Sequence, residues 1–181
     1  MCVICIVPAG TKLPSKAELL AMHRQNPHGM GFCSKSMSYK GMNFERFYNR
    51  LQFVPMDEDV IIHFRFATHG SICVKNCHPF KKGKIWFAHN GILDICPTGD
   101  KTDSQTAFDE ILYPVIKKYG LDSEELKDEI EEIIDYSKFA FLGDDGKVRM
   151  FGSYQKYHGR YYSNMRHLSY SNIYKRVSIA V

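Results

Sequence analysis

The first seven residues, Met-Cys-Val-Ile-Cys-Ile-Val, constrain the fold more than any other stretch of the chain. Chain ends fray unless something ties them down. Yet Val3, Ile4, Ile6 and Val7 have the apolar, β-branched make-up of a strand buried on both faces. The chain is therefore expected to start inside a sheet, with Cys2 held at the head of its first strand. Removal of Met1 would leave a thiol and a free α-amine on one residue, a nucleophile with a base attached.

Local signals place the other elements. Ser15-Lys16-Ala17-Glu18 has capping-box spacing and predicts a helix ending at Gln25, closed by Asn26-Pro27-His28-Gly29. Residues 30–35 read as extended, and Asn43 caps a second helix over residues 44–53. Residues 60–66 and Ile85-Trp86-Phe87-Ala88 are strands by composition. Thr102-Asp103-Ser104-Gln105 is a second capping box, and Phe108, Ile111, Leu112, Val115 and Ile116 follow on one helical face until Gly120 stops it. Leu126, Ile130, Ile133 and Ile134 mark a further amphipathic helix, so two helices form a hairpin. Residues 139–142 and 148–151 flank Asp144-Asp145-Gly146-Lys147, a hairpin turn signal, and more strands are expected near Tyr161 and Ile173. Strands, then paired helices, then strands again point to an α+β fold with layered sheets.

At 181 residues and 44% apolar, the chain suits one domain over residues 1–181 that buries roughly 70% of its unfolded surface. No apolar run nears the roughly 20 residues that span a bilayer. The apolar start ends at Pro8 with no basic residue before it, unlike a signal peptide. The cysteines therefore read as reduced thiols of a cytoplasmic protein. Cys5, Cys33, Cys73 and Cys96 are expected to be small buried hydrophobes. The net charge of +4 is uneven: eight acidic residues and one lysine lie between Leu121 and Tyr136, whereas seven Lys or Arg and no acidic residue follow Gly146.

Three stretches carry polar groups beside apolar strands. Arg65 and His69 stand where a strand runs into Gly70. A guanidinium fixed there suits a carboxylate, and a structural ion pair would use the same residue. Asn90-Gly91 after a strand is a type I′ turn by default. The same pair can form an oxyanion hole if the Asn90 amide and the Gly91 N–H converge. Asp103 in the first turn of a helix answers the helix dipole, or a ligand ammonium.

Together, Cys2, His63-Phe64-Arg65-Phe66-Ala67-Thr68-His69-Gly70, Asn76-Cys77-His78-Pro79, His89-Asn90-Gly91 and Thr102-Asp103-Ser104 resemble the class II glutamine amidotransferase domain. Its members are Ntn hydrolases with an N-terminal cysteine nucleophile. Asn26-Pro27-His28-Gly29-Met30-Gly31-Phe32 is similar to the glycine loop before the second strand in the family's stand-alone branch. The resemblance implies a four-layer αββα sandwich of two antiparallel sheets, with no cofactor and no metal. It implies hydrolysis of the side-chain amide of glutamine, or of a related γ-glutamyl amide, through a Cys2 thioester. Asn90 and Gly91 would hold the oxyanion, Arg65 the substrate carboxylate and Asp103 its ammonium, with Thr68 and His69 lining the amino-acid pocket. A chain of 181 residues leaves no room for a synthase domain, so the ammonia is expected to go to a partner enzyme or to solution.

Two readings of other classes compete. Cys2, Cys5, Cys73, Cys77 and His78 include zinc-type spacings, although strand alternation sends Cys2 and Cys5 to opposite faces. The C-terminal segment sets seven basic residues among six tyrosines, the footprint of a single-stranded nucleic-acid binder. A strand pair with a solvated basic face has the same composition and is the preferred reading, as is a solvated face for the acidic helix. No membrane contact is expected.

Overall fold

The computed structural model describes residues 2–68 and 70–168. Its strands are β1 (Val3–Val7), β2 (Met30–Cys33), β3 (Ser38–Gly41), β4 (Val60–Phe64), β5 (Phe80–Lys82), β6 (Ile85–Asn90), β7 (Lys138–Leu142), β8 (Val148–Phe151), β9 (Gln155–Tyr157) and β10 (Arg160–Tyr162). They form two antiparallel sheets, ordered β3-β2-β4-β1-β10-β9 and β5-β6-β7-β8. β1 is buried along its whole length, as its composition requires. It pairs with β4 from Val3 opposite Phe64 to Val7 opposite Val60, and with β10 on its other edge.

Alternation along β1 sorts the layers. Val3, Cys5 and Val7 face α1 (Lys16–Gln25) and α2 (Phe44–Leu51), where they join Leu19, Met22 and Phe47. Ile4 and Ile6 point the other way and meet Ala88 and Ala140 of the second sheet. The outer face of that sheet packs Phe87, Phe139 and Phe141 against Phe108, Leu112, Leu126 and Ile130. The result is the expected αββα sandwich, with three apolar layers between its four structural ones.

The caps explain where helices start. Ser15 Oγ accepts from Glu18 N at 3.2 Å, but the Glu18 carboxylate does not close the capping box. It takes a bond from Tyr162 Oη at 2.5 Å and pairs with buried Arg160 at 3.1 Å. Asn43 Oδ1 accepts from Arg46 N at 2.9 Å and opens α2, which ends at Leu51 rather than residue 53. Before α3 (Asp103–Thr106), both halves of the second capping box form, through Thr102 and Gln105.

The single helix expected behind that box is interrupted. A π-helical stretch, Ala107–Leu112, separates α3 from α4 (Tyr113–Tyr119), and Tyr113 N reaches back five residues to Phe108 O. Pro114, in the next position, has no N–H to continue an ordinary helical ladder. Gly120, at φ +99°, stops α4 before α5 (Glu124–Ile134) begins. None of these helices is long and apolar enough to cross a membrane.

Several details correct the sequence reading. β3, β5 and β9 are strands that had no periodic signal, each of four residues or fewer. Cys5 and Cys33 are buried, but Cys73 is half-exposed and Cys96 is exposed, because both sit in irregular segments that no layer covers. Two of the basic residues after Gly146 are spoken for: Arg149 bonds to Asp122 and Asp145, and Arg160 to Glu18. The strand expected near Ile173 lies outside the described residues.

Candidate active site

The site forms where the start of β1 and the ends of β4 and β6 come together. Cys2 stands one residue ahead of β1, across from the point where the chain leaves β4. Its Sγ accepts the Phe66 N–H at 3.3 Å and lies 3.5 Å from the Phe66 carbonyl, to which the thiol can donate. Burial pushes the Cys2 thiol above its ordinary value, while the Phe66 hydrogen bond and the Arg65 charge pull part of the way back. The sulfur opens on a pocket lined by Arg65, Thr68, His78, His89, Gly91 and Asp103 among others.

Arg65 is buried and its Nη1 donates to Ser71 O at 2.9 Å. Its backbone extends the β2–β4 pairing, donating to Gly29 O at 2.8 Å and accepting from His28 N at 3.0 Å. Gly29 makes this approach possible: at φ +118°, a Cβ there would fall 2.3 Å from Cys77 Sγ. The loop after Gly70 is tied by Asn76 Nδ2, which donates to Ser71 O at 3.0 Å and Ser71 Oγ at 3.2 Å. Thr68 is exposed at the rim, and His69 lies outside the described residues.

The type I′ turn that Asn-Gly suggests does not form. Asn90 is the last residue of β6, opposite Lys138 of β7, and the chain continues from Gly91 into a loop leading to α3. Gly91 lines the pocket, and any Cβ there would come within 2.0 Å of Ser137 Oγ and 2.9 Å of His89 Nε2. Asn90 is buried behind it, with Nδ2 donating to Ser163 Oγ at 2.7 Å. Asp103 accepts from Ser104 N through Oδ1 at 2.8 Å and from Leu93 N through Oδ2 at 3.2 Å, which fastens the loop after Gly91 to the head of α3.

Three buried histidines underlie the pocket. The rings of His63 and His78 lie 4.3 Å apart at a tilt of 34°, His63 Nε2 lies 3.1 Å from His89 O, and His89 Nδ1 lies 2.7 Å from Ser104 Oγ. Burial pushes His63 down to about 3 and His89 down to about 4, and holds His78 well below its usual range. All three are therefore neutral in the folded protein near pH 7, whereas the unfolded chain protonates them near pH 6.5.

Stability contributed by this difference is complete above pH 6.5 and is lost as pH falls from there toward 4 and 3. The urea midpoint is expected to drop across that window, with a slope of up to about 1.4 kcal/mol per pH unit for each histidine. A midpoint that stays level from pH 6.5 to 4 would contradict this arrangement.

Cys5 packs among Val3, Val7 and Leu19 on the helix side of the first sheet, away from the pocket that Cys2 faces. Among the described residues, no three His, Cys, Asp or Glu side chains are grouped to hold a metal ion. The residues that sequence reasoning overlooked are Ser137, Ser163 and Asn164. The Tyr162-Ser163-Asn164 triplet is visible in the sequence, but a short polar triplet has no local meaning.

The model of the family described as glutamine amidotransferases class-II matches residues 51–163, more than half of the chain. No curated protein matches the chain by sequence. Among solved structures, the glutamine phosphoribosylpyrophosphate amidotransferase of B. subtilis, complexed with ADP and GMP, is similar in fold. Its TM-score is 0.56 at 18% identity, over 90% of this chain and 41% of that one. The chain thus spans less than half the length of that structure, and the sandwich they share is of the Ntn-hydrolase type. With a family match over most of its length and the fold to go with it, the chain belongs to the class II glutamine amidotransferases.

Proposed function

We propose that the chain, with Met1 removed, acts as a single amidotransferase domain that hydrolyses the side-chain amide of glutamine, or of a related γ-glutamyl amide, through a Cys2 thioester. The observation that carries this reading is the placement of Cys2 Sγ, bonded to Phe66 N and open to a pocket shared with Arg65, Gly91 and Asp103. Burial keeps the thiol protonated, so attack needs a base. The nearby imidazoles are poor candidates because burial has lowered their basicity. The α-amine of Cys2 itself, with a reference value near 8, is suited to the task.

In this mechanism the Cys2 sulfur bonds to the amide carbon and the thiol proton passes to the α-amine. The carbonyl oxygen becomes an oxyanion held by the Asn90 amide and the Gly91 N–H, each donor worth about 3 kcal/mol in comparable sites. Collapse returns the proton to the departing nitrogen, which leaves as ammonia, and the acyl group remains on sulfur. Water, deprotonated by the same amine, then cleaves the thioester to release glutamate. Arg65 clamps the substrate carboxylate, Asp103 receives its ammonium, and Thr68 lines the amino-acid pocket. The ammonia is available to an acceptor or a partner enzyme.

The test is to confirm by intact mass that Met1 is absent and then to measure glutamate and ammonia from glutamine. Equal release of both supports the reading. No turnover by a chain with a free Cys2 amine rejects it. Arg65→Ala is expected to raise KM for glutamine by about 10- to 100-fold, the loss of a charged hydrogen bond, with a smaller effect on kcat. A fall in kcat at unchanged KM would remove Arg65 from substrate binding.

A further inference from the structure

Beyond β10 the chain crosses the head of β1, and the contacts it makes there are not those of an ordinary strand end. The pairing of Cys5 with Tyr162 places Ser163 opposite Ile4. Ser163 N donates to Ile4 O at 2.9 Å, as a ladder requires, but the return bond from Ile4 N goes to Ser163 Oγ at 2.8 Å. The side chain has taken over a backbone position. Its oxygen accepts a second bond, from Asn90 Nδ2 at 2.7 Å. The next residue, Asn164, donates through Nδ2 to Cys2 O at 2.8 Å.

We infer that Ser163 and Asn164 are positioning residues of the active site, which lock the oxyanion amide and the nucleophile's backbone into one frame. The inference rests on the glutaminase reading above. Asn90 carries two amide N–H donors. Ser163 uses one of them and so sets the rotation of the amide plane, leaving the other for the oxyanion. Because the same hydroxyl is anchored to Ile4 N, two residues from Cys2, the distance between sulfur and oxyanion donor is set by one atom. Ser163 is buried, so water cannot readily replace its oxygen. Asn164 acts on the other partner by fixing the carbonyl of Cys2.

Glutamine hydrolysis by the full chain with Met1 removed tests this with four proteins: wild type, Ser163→Ala, Asn90→Ala and the double variant. Ser163→Ala is expected to lower kcat by about 10- to 100-fold with KM within about twofold of wild type. The double variant is expected to fall well short of the product of the two single losses, because the hydroxyl acts chiefly through that amide. A multiplicative loss in the double variant, or wild-type kcat in Ser163→Ala, overturns the role.

Should Ser163→Ala fail to fold, Ser163→Cys, of similar size with a weaker acceptor, is read by the same cycle. Asn164→Ala should lower kcat and combine multiplicatively with Asn90→Ala, since it acts on Cys2. Wild-type kcat in Asn164→Ala overturns that half. A wild type that shows a free Cys2 by mass and no turnover rejects the glutaminase reading together with this one. An active wild type with an unaffected Ser163→Ala rejects this one alone.

Discussion

Cys2→Ala is expected to abolish glutamine hydrolysis while the protein still melts within a few degrees of wild type. Loss of the nucleophile removes the covalent route itself, and in a serine protease with an acyl-enzyme intermediate that costs about six orders of magnitude in kcat. The structural cost is small because, among the described residues, the sulfur's hydrogen bonds are only to the Phe66 backbone. It also opens on the pocket rather than packing in a core cluster. Alanine is small enough to allow the same removal of Met1, so the variant keeps its α-amine and isolates the thiol. Ammonia release and a thermal melt check both halves. Turnover above about 1% of wild type in a folded variant, far beyond the residual expected for a lost nucleophile, would mean that another residue attacks the amide.

Asn90→Ala should lower kcat by about 10²- to 10³-fold with KM for glutamine changed much less. The asymmetry follows from timing: an oxyanion donor bonds to charge that exists only after attack, whereas Arg65 and Asp103 would bind groups already charged in the substrate. Some loss of stability accompanies it, because Asn90 is buried and Ser163 Oγ keeps only its bond from Ile4 N. Asn90→Asp should be at least as slow, since a carboxylate cannot donate and would face the developing negative charge. Steady-state kinetics on folded protein decide the matter. A raised KM at unaltered kcat would move Asn90 from catalysis to binding.

Much of this architecture was legible in local sequence. The β-branched run at residues 3–7 demanded an interior strand, and β1 is one. The caps at Ser15, Asn43 and Thr102 announced their helices because a capping side chain bonds within three residues of itself. The π-helical stretch could not be read from apolar spacing, which stays near helical period through it. Strands of three or four residues such as β3 and β9 are too short to establish a period of two.

The site divides in the same way. Arg65, Asn90, Gly91 and Asp103 stood out because each sits at the end or start of a predicted element. Ser163 and Asn164 did not, since their bonds to Ile4, Asn90 and Cys2 span between 73 and 162 positions of chain. The order of strands in the first sheet brings them to Ile4 and Cys2, and the stacking of the second sheet brings Asn90; no local pattern encodes that β10 lies beside β1.

The position of β1 has a consequence for how firmly Cys2 is held. A residue at a chain terminus ordinarily opens at little free-energy cost, independently of the rest of the molecule. Here Cys2 stands at the head of a central strand that has a neighbour on each edge and apolar layers on both faces. Drift of Cys2 away from Asn90 is opposed by the pairing of Val3 with Phe64 and by the bonds of Ser163 to Ile4 and of Asn164 to Cys2. Freeing β1 requires breaking its ladders with β4 and β10 together, which dismantles the sheet. Cys2, at the head of that strand, is thereby held more firmly than an ordinary chain end, and the proposed nucleophile keeps its register with the rest of the site for as long as β1 stays in the sheet.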